Sequence, residues 1–233
     1  MYPNLTNRSL ELEILDQEPW HYTLDEYQDC IKQLDKVGRW LGGDKASFKA
    51  LKSIAQPPDS ILDVGCGGGL FTIKMARYFP KAFIKGIDLN PLAISFAKDL
   101  EAPSNVLFEL CDSPDLNEKP RSYDVVISTL VCHHMSDRSL VEFLQRANQI
   151  ARKKVIINDL HRHPMALCLF TLICPILFPN RLVAHDGPLS IRKAFKYEDW
   201  KKYLAAANIP PKAYTIRRRW SFRWVIEIDC TKV

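Results

Sequence analysis

Residues 60–70 read Ser-Ile-Leu-Asp-Val-Gly-Cys-Gly-Gly-Gly-Leu, and few folds accept such a stretch. Strand-forming residues run into an acid, then into a loop with four glycines, then into a helical pattern from Leu70. A glycine turn between a strand and a helix lets backbone pass close to a ligand, and the helix N-terminus adds free N–H donors. That combination predicts a nucleotide-like cofactor at the carboxyl edge of a parallel sheet. Which cofactor depends on the rest of the chain.

The pattern after Ser60 alternates strand and helix. Strands are predicted at Ile61–Val64, Phe83–Ile87, Val106–Leu110, Asp124–Leu130 and Val155–Asn158. Between them, Leu70–Phe79 places Phe71, Met75, Ala76 and Phe79 on one helical face. Asn90 and Pro91 open a helix to about Leu100, and Ser136 or Asp137 caps another to about Ile150. Repeated βα units with short links give an α/β fold with a doubly wound, mostly parallel sheet. Tyr197–Asn208 reads as a helix, then Lys212–Ile216 and Arg223–Asp229 as strands joined by a short link. Such a link excludes a parallel crossover, so a seven-stranded sheet with an antiparallel last strand is expected.

Two segments lie outside this alternation. Thr23 and Glu26 form a capping-box pair ahead of Leu24, Tyr27, Ile31, Leu34, Val37 and Leu41 at helical spacing, and a short helix follows from Asp44 to Ala55. Residues 1–56 are therefore an N-terminal helical extension, either an edge cover or a lid, and residues 57–233 the α/β domain. Within that domain an apolar insertion occupies about 161–190. Its centre, Met165–Phe178, is apolar except at Thr171 and Pro175, too short to span a bilayer, and expected to kink or end at Pro175. It reads as a core helix, as the wall of an acceptor pocket, or as a shallow membrane contact. Its place beside the sheet's carboxyl edge favours the pocket, and its lack of a basic face argues against the membrane.

A net charge of +5 over 233 residues, not gathered in a tail, gives no support to nucleic-acid binding. The run Arg217-Arg218-Arg219-Trp220-Ser221-Phe222-Arg223-Trp224 mixes cations and aromatics, but it falls at a strand junction and reads as a solvated hairpin edge. Seven cysteines without a Cys-x-x-Cys pair, and an N-terminus without an apolar signal region, predict reduced thiols in a cytoplasmic protein. No stable membrane insertion is expected.

The glycine spacing is Gly-x-Gly-x-Gly, not the Gly-x-Gly-x-x-Gly of dinucleotide sites, and Asp63 precedes it. Asp88 ends the second strand, where a carboxylate can accept both hydroxyls of a ribose. Asp112 follows the third, where it could accept from an adenine amine, and Asp63 could meet a cationic amino group through the turn or water. Three acids after three strands suit a ligand with adenosine at one end and an ammonium at the other.

Asp63-Val64-Gly65-Cys66-Gly67-Gly68-Gly69, Gly86-Ile87-Asp88 and Tyr123-Asp124-Val125-Val126 together resemble the class I S-adenosylmethionine-dependent methyltransferases over about residues 58–160. The resemblance implies S-adenosyl-L-methionine as cofactor, S-adenosyl-L-homocysteine as product, and a site of Asp63, Gly65, Cys66, Gly67, Asp88, Leu89, Asp112, Ser113 and Thr129. Leu34–Gly43, Asn158–Arg162 and His185–Ser190 are similar to small bacterial methyltransferases that accompany type III polyketide synthases. That similarity implies a phenolic, quinone or polyketide-type acceptor.

The acceptor is expected beyond strands four and five, where Cys132-His133-His134-Met135 and Asp159-Leu160-His161-Arg162-His163 stand. Imidazole suits removal of a phenolic proton. His133 or His134 is expected to touch cofactor or acceptor, and His161 or His185 to be a general base. The competing reading makes the first pair packing or capping residues and the others solvent-facing loop histidines. No metal is expected, since His161, His163 and Asp159 lack helix-face ligand spacing. The expected function is methyl transfer to a small, fairly apolar acceptor, at oxygen because the Asn-Pro-Pro-aromatic motif of amino-directed enzymes is absent and because the family resemblance implies it. The alternatives are an NAD(P)-dependent oxidoreductase and a non-catalytic S-adenosylmethionine-binding module.

Overall fold

The computed structural model describes residues 5–17, 21–111 and 116–233. Seven strands form one sheet in the order β3-β2-β1-β4-β5-β7-β6. The strands are β1 (Ser60–Val64), β2 (Phe83–Asp88), β3 (Val106–Leu110), β4 (Tyr123–Thr129), β5 (Ala151–Leu160), β6 (Tyr214–Arg219) and β7 (Arg223–Asp229). The first five are mutually parallel, and β7 runs antiparallel to both β5 and β6. β1 and β4 are buried on both faces, as their continuous apolar runs require.

The helices are α1 (Leu24–Trp40), α2 (Gly43–Lys52), α3 (Leu70–Tyr78), α4 (Pro91–Lys98), α5 (Asp137–Ile150), α6 (Pro164–Leu177), α7 (Arg181–Lys193) and α8 (Tyr197–Ala206). One sheet face, with Ile61, Ile127, Ile156 and Val225, packs on α2 and α3 through Ala46, Leu51 and Met75. The other, with Leu62, Val126, Val155 and Ile226, packs on α5 and α8 through Phe143, Leu144, Trp200 and Leu204. Strand alternation thus aims Asp63 at the α3 side, where Thr72 Oγ1 donates to it at 2.6 Å.

The capping box at Thr23 forms as expected, with Glu26 N donating to Thr23 Oγ1 and Thr23 N to Glu26 Oε2. The two N-terminal helices part ways. α2 covers the sheet face, whereas α1 crosses the carboxyl edge and joins α6 and α7 through Cys30, Val37, Cys174, Phe178 and Leu182.

Several boundaries depart from the expected ones. β5 starts at Ala151, four residues before Val155, because its charged opening is neutralised: Arg152 and Lys153 reach Asp124 at 2.7 and 2.9 Å, and Lys154 reaches Glu227 at 2.9 Å. β6 starts at Tyr214, not Lys212, because Pro211–Ala213 forms a 3-10 turn, and it continues to Arg219 as an edge strand. Arg217 and Arg218 are exposed there as expected of a hairpin edge, but Arg223 of the same run is buried. Pro175 does not stop α6, which ends two residues later. α7 is not among the elements expected from the sequence, and it holds both Gly187 and Pro188 in its interior. Asn180 Oδ1 caps the helix, accepting from Leu182 N and Val183 N, and a Cβ at Gly187 would fall 2.0 Å from Phe170 Cε1. That glycine is what lets α6 lie against α7. Among the described residues, no helix is long and apolar enough to cross a membrane.

Candidate active site

The parallel strands deliver Gly65–Gly69, Asp88–Asn90, Leu130–His134 and Asp159–His161 to one edge of the sheet. Gly65 N and Cys66 N both donate to Ile87 O, at 2.8 and 3.0 Å, which fastens the turn to β2. Asp88 completes the join: Oδ2 accepts from Gly67 N at 2.8 Å and Oδ1 from Asn90 N at 2.9 Å. Burial pushes the Asp88 carboxyl above its usual range despite these N–H donors. Asn90, not Asp88, caps α4.

The four glycines differ in what stands beside them. A Cβ on Gly65 would lie 2.3 Å from Val131, on Gly68 2.4 Å from Ile31, and on Gly69 2.5 Å from Phe108. Those three are glycine because neighbours fill the space. Gly67, at φ +52°, faces nothing within 4 Å. The turn therefore offers a ligand one open approach, at Gly67.

Below it, Asp63 is 2% exposed. Burial, with the Asp88 charge adding to it and the Thr72 hydroxyl opposing, raises its pKa to about 7. A buried acid without a cationic partner among the described residues fits a ligand ammonium. The Cys66 thiol is pushed up by burial and by Asp63 and Asp88, Leu89 is 57% exposed at the lip, and Thr129 Oγ1 lies 3.4 Å from Ser47 Oγ of α2. Asp112 and Ser113 lie outside the described residues.

Beside the turn is a cavity of about 300 Å³ with mostly apolar walls. α1 contributes Cys30, Leu34, Val37 and Leu41, and α6 contributes Ala166, Leu169, Phe170 and Ile173. Two contacts bridge cavity and turn: Leu130 lines the cavity while Val131 fills the Gly65 position, and Cys30 lines it while Ile31 fills that of Gly68.

His133 and His134 both reach this cavity. His133 is 3% exposed, with Nδ1 2.8 Å from Asp159 Oδ1 and its backbone N donating to Asp159 Oδ2 at 3.2 Å. Burial works against the Asp159 carboxylate, but His133 and the Leu160 N–H hold its pKa below the ordinary value. An ionised Asp159 only accepts, so His133 Nδ1 carries a proton and Nε2 is the ring nitrogen left to exchange one. Nε2 stands 3.8 Å from Oε1 of Glu13, itself 2% exposed. His134 is set differently. Partial burial lowers its pKa, but the Asp16 hydrogen bond at 2.9 Å and the nearby Glu13 raise it overall, favouring imidazolium. Of the adjacent pair, only His133 is held by a fully buried carboxylate.

The segment carrying Glu13 lay beyond what the sequence signalled. Residues 5–17 cross the sheet edge as a strap. Ile14 N and Leu15 N donate to Asp186, and Lys193 Nζ lies 3.2 Å from Glu13 Oε1. Arg8 donates from Nη2 to the carbonyls of His133 and Met135, at 3.1 and 2.9 Å, and stacks 4.5 Å over Phe195. It fixes the loop that carries the imidazole. Ligand atoms of Glu13, His133 and His134 lie within 4.8 Å of one another, but Lys193 already neutralises the carboxylate that a cation would need.

The other two candidate bases are elsewhere. His161 packs edge-on against Trp224 and tilted against His163, with ring centroids 4.9 and 5.1 Å away, and is not among the residues lining the cavity. Burial, then the charges of His163 and Arg218, lower its pKa to about 4. His185 lies on α7, not in a loop, and is exposed with Nδ1 2.8 Å from Asp186.

Residues 61–154 match the family model described as a methyltransferase domain. A ubiquinone biosynthesis O-methyltransferase of Neisseria meningitidis serogroup C is 38% identical over 155 residues, 64% of this chain and 59% of that protein. An Azorhizobium caulinodans protein of the same name is 32% identical over 132 residues, 55% of this chain and 49% of its own. The chain spans about half the length of the curated relatives it matches. Among solved structures, the plantazolicin methyltransferase BpumL in complex with S-adenosylhomocysteine (SAH) superposes with a TM-score of 0.65 at 15% identity, covering 90% of this chain and 92% of that one. Human N-acetylserotonin methyltransferase gives 0.63 at 14%, covering 89% and 56%. Residues 61–154 thus match a methyltransferase domain, and the fold around them is shared with solved methyltransferases.

Proposed function

We propose that the protein transfers a methyl group from S-adenosyl-L-methionine to a hydroxyl of a small, fairly apolar acceptor, with His133 as general base. The observation that carries this reading is the His133–Asp159 pair on the wall of an apolar cavity that abuts the glycine turn. The open approach at Gly67 and the unpaired buried acid at Asp63 fit the cofactor's two ends, and Asp88 stands where a ribose would be held. When bound, the cofactor supplies an electrophilic methyl on a sulfonium. Gly67 admits it closely, Asp63 meets its ammonium, and Asp88 accepts from its ribose with the lone pairs that Gly67 and Asn90 leave free. α1 and the residue 130–134 loop, each touching both turn and cavity, hold the two ligands against each other, which is most of what a methyl transfer requires. His133 Nε2 takes the hydroxyl proton, and Asp159 stabilises the imidazolium that results.

The phenolic, quinone or polyketide-type acceptor suggested by sequence resemblance agrees with the cavity's apolar walls and with relatives named for ubiquinone biosynthesis. The test is two-stage. Thermal shift should show stabilisation by S-adenosylmethionine and SAH but not by NAD or NADP. Mass spectrometry across a phenol and quinol panel should then detect a one-methyl gain. Stabilisation by NAD alone would sink the reading, and cofactor binding without any product would favour a non-catalytic module.

A further inference from the structure

Arg223 opens β7, pairing with Leu160 of β5 on one side and Arg219 of β6 on the other. It is 1% exposed and lines the cavity. Its Nε and Nη1 are buried with no hydrogen-bond partner among the described residues. Space for the guanidinium exists only because residue 43 is glycine: a Cβ there would fall 2.9 Å from Arg223 Cζ and Nη2.

The nearby acids are already committed. Asp159 takes three N–H donors from His133 and Leu160, and Asp44 takes Lys74 Nζ. Of the other charged groups on the wall, Glu13 faces Lys193 and Asp186 accepts from Ile14 and Leu15. A guanidinium carries five donors in a planar fork matched to a carboxylate, and burying it unpaired is costly. Folding nonetheless places it on an apolar wall where Asp159 and Asp44 act on it through their charge but, among the described residues, no carboxylate accepts from its Nε or Nη1.

We infer that Arg223 is the anchor of an anion subsite, and that the acceptor is an apolar hydroxy acid whose carboxylate pairs with Arg223 while its hydroxyl lies at His133. The assignment rests on the reading of this cavity as the acceptor site. Arg223 pairs with Leu160 and His133 bonds the adjacent Asp159, so both approach the cavity from one short piece of β5. Both line the same cavity, so a small aromatic hydroxy acid is the acceptor class that would meet the two together. A second source of carboxylate is the amino-acid end of the cofactor. Strand order disfavours it: β7 lies three strands from β1, about 14 Å at ordinary strand spacing.

The test uses the full chain saturated with SAH and titrates two probes that differ only by the carboxylate, 3-hydroxy-2-naphthoate and 2-naphthol. Wild type should bind the naphthoate at least about tenfold more tightly, as expected of hydrogen bonds to a charged group. Arg223→Met should abolish that preference, Arg223→Lys should keep part of it, and SAH affinity should stay within about twofold in both. Gly43→Ala, which displaces the guanidinium without removing it, should also erode the preference, so the test does not depend on one variant folding. Equal binding of the two probes by wild type, failure of both to bind, or a preference that survives Arg223→Met would overturn the subsite. Loss of SAH affinity in Arg223→Met would assign the anchor to the cofactor instead and overturn the acceptor assignment. Tight naphthoate binding without a methylated product would leave the subsite standing and count against methyl transfer.

Discussion

Asp63→Asn isolates the electrostatics under the glycine turn. In the fold the carboxyl holds its proton to about pH 7, against an ordinary value of 3.8 in the unfolded chain. The folded state therefore binds the extra proton, and stability falls as pH rises from about 4 to about 7 and is level above that. At 1.36 kcal/mol per unit, a displacement of about three units costs about 4 kcal/mol once both states are ionised. About 3 kcal/mol of that falls between about pH 5 and about pH 8. Asparagine keeps the shape and still accepts from Thr72 Oγ1, but it carries no charge. Urea unfolding of both proteins at the two pH values should show the mutant gaining on wild type by about 3 kcal/mol at the higher one. The same substitution should weaken SAH binding, because the ammonium loses its counter-charge, and should remove the proton release that accompanies binding to wild type. A mutant-minus-wild-type difference that is flat with pH would refute the argument.

His133→Gln should lower kcat by about 10²- to 10⁴-fold while leaving SAH affinity unchanged, measured by steady-state kinetics and calorimetry; a loss under tenfold would count against the general base. Gly67→Ala should cost only about 1 kcal/mol of stability, from its left-handed backbone, yet abolish cofactor binding. Gly65→Ala, driven into Val131, should instead destabilise the fold itself, and equal effects in denaturant melts would contradict that division. His161, with its folded pKa lowered to about 4 from an ordinary 6.5, costs stability as pH falls through that interval. His161→Phe should therefore flatten acid unfolding there while kcat at neutral pH is retained, and a large kcat loss would return it to the catalytic site.

The order and type of the elements were legible because they rest on local periodicity and on residues with one conformational use. Asn90-Pro91 and Thr23-x-x-Glu26 cap helices from any sequence position. Breakers were less dependable. Pro175, Gly187 and Pro188 all lie inside helices, and Gly187 is tolerated because Phe170 needs its missing side chain. Arg223 shows the reverse error: a run of cations predicts solvent, but pairing between β5 and β6 carries that residue inside.

The sequence by itself determined the glycine turn, the acids after the first two strands and the histidine-bearing loop, since each follows from its place at a strand's carboxyl end. Tertiary structure decided the surroundings of the two adjacent histidines, burying His133 against Asp159, 26 residues away, and leaving His134 more open beside Asp16, 118 away. It also decided that one glycine of four stays open, that α1 crosses the turn while α2 covers the sheet, and that Glu13 and Arg223 meet one cavity from opposite ends of the chain. Those outcomes depend on burial and charge between segments far apart in sequence, which no local pattern encodes.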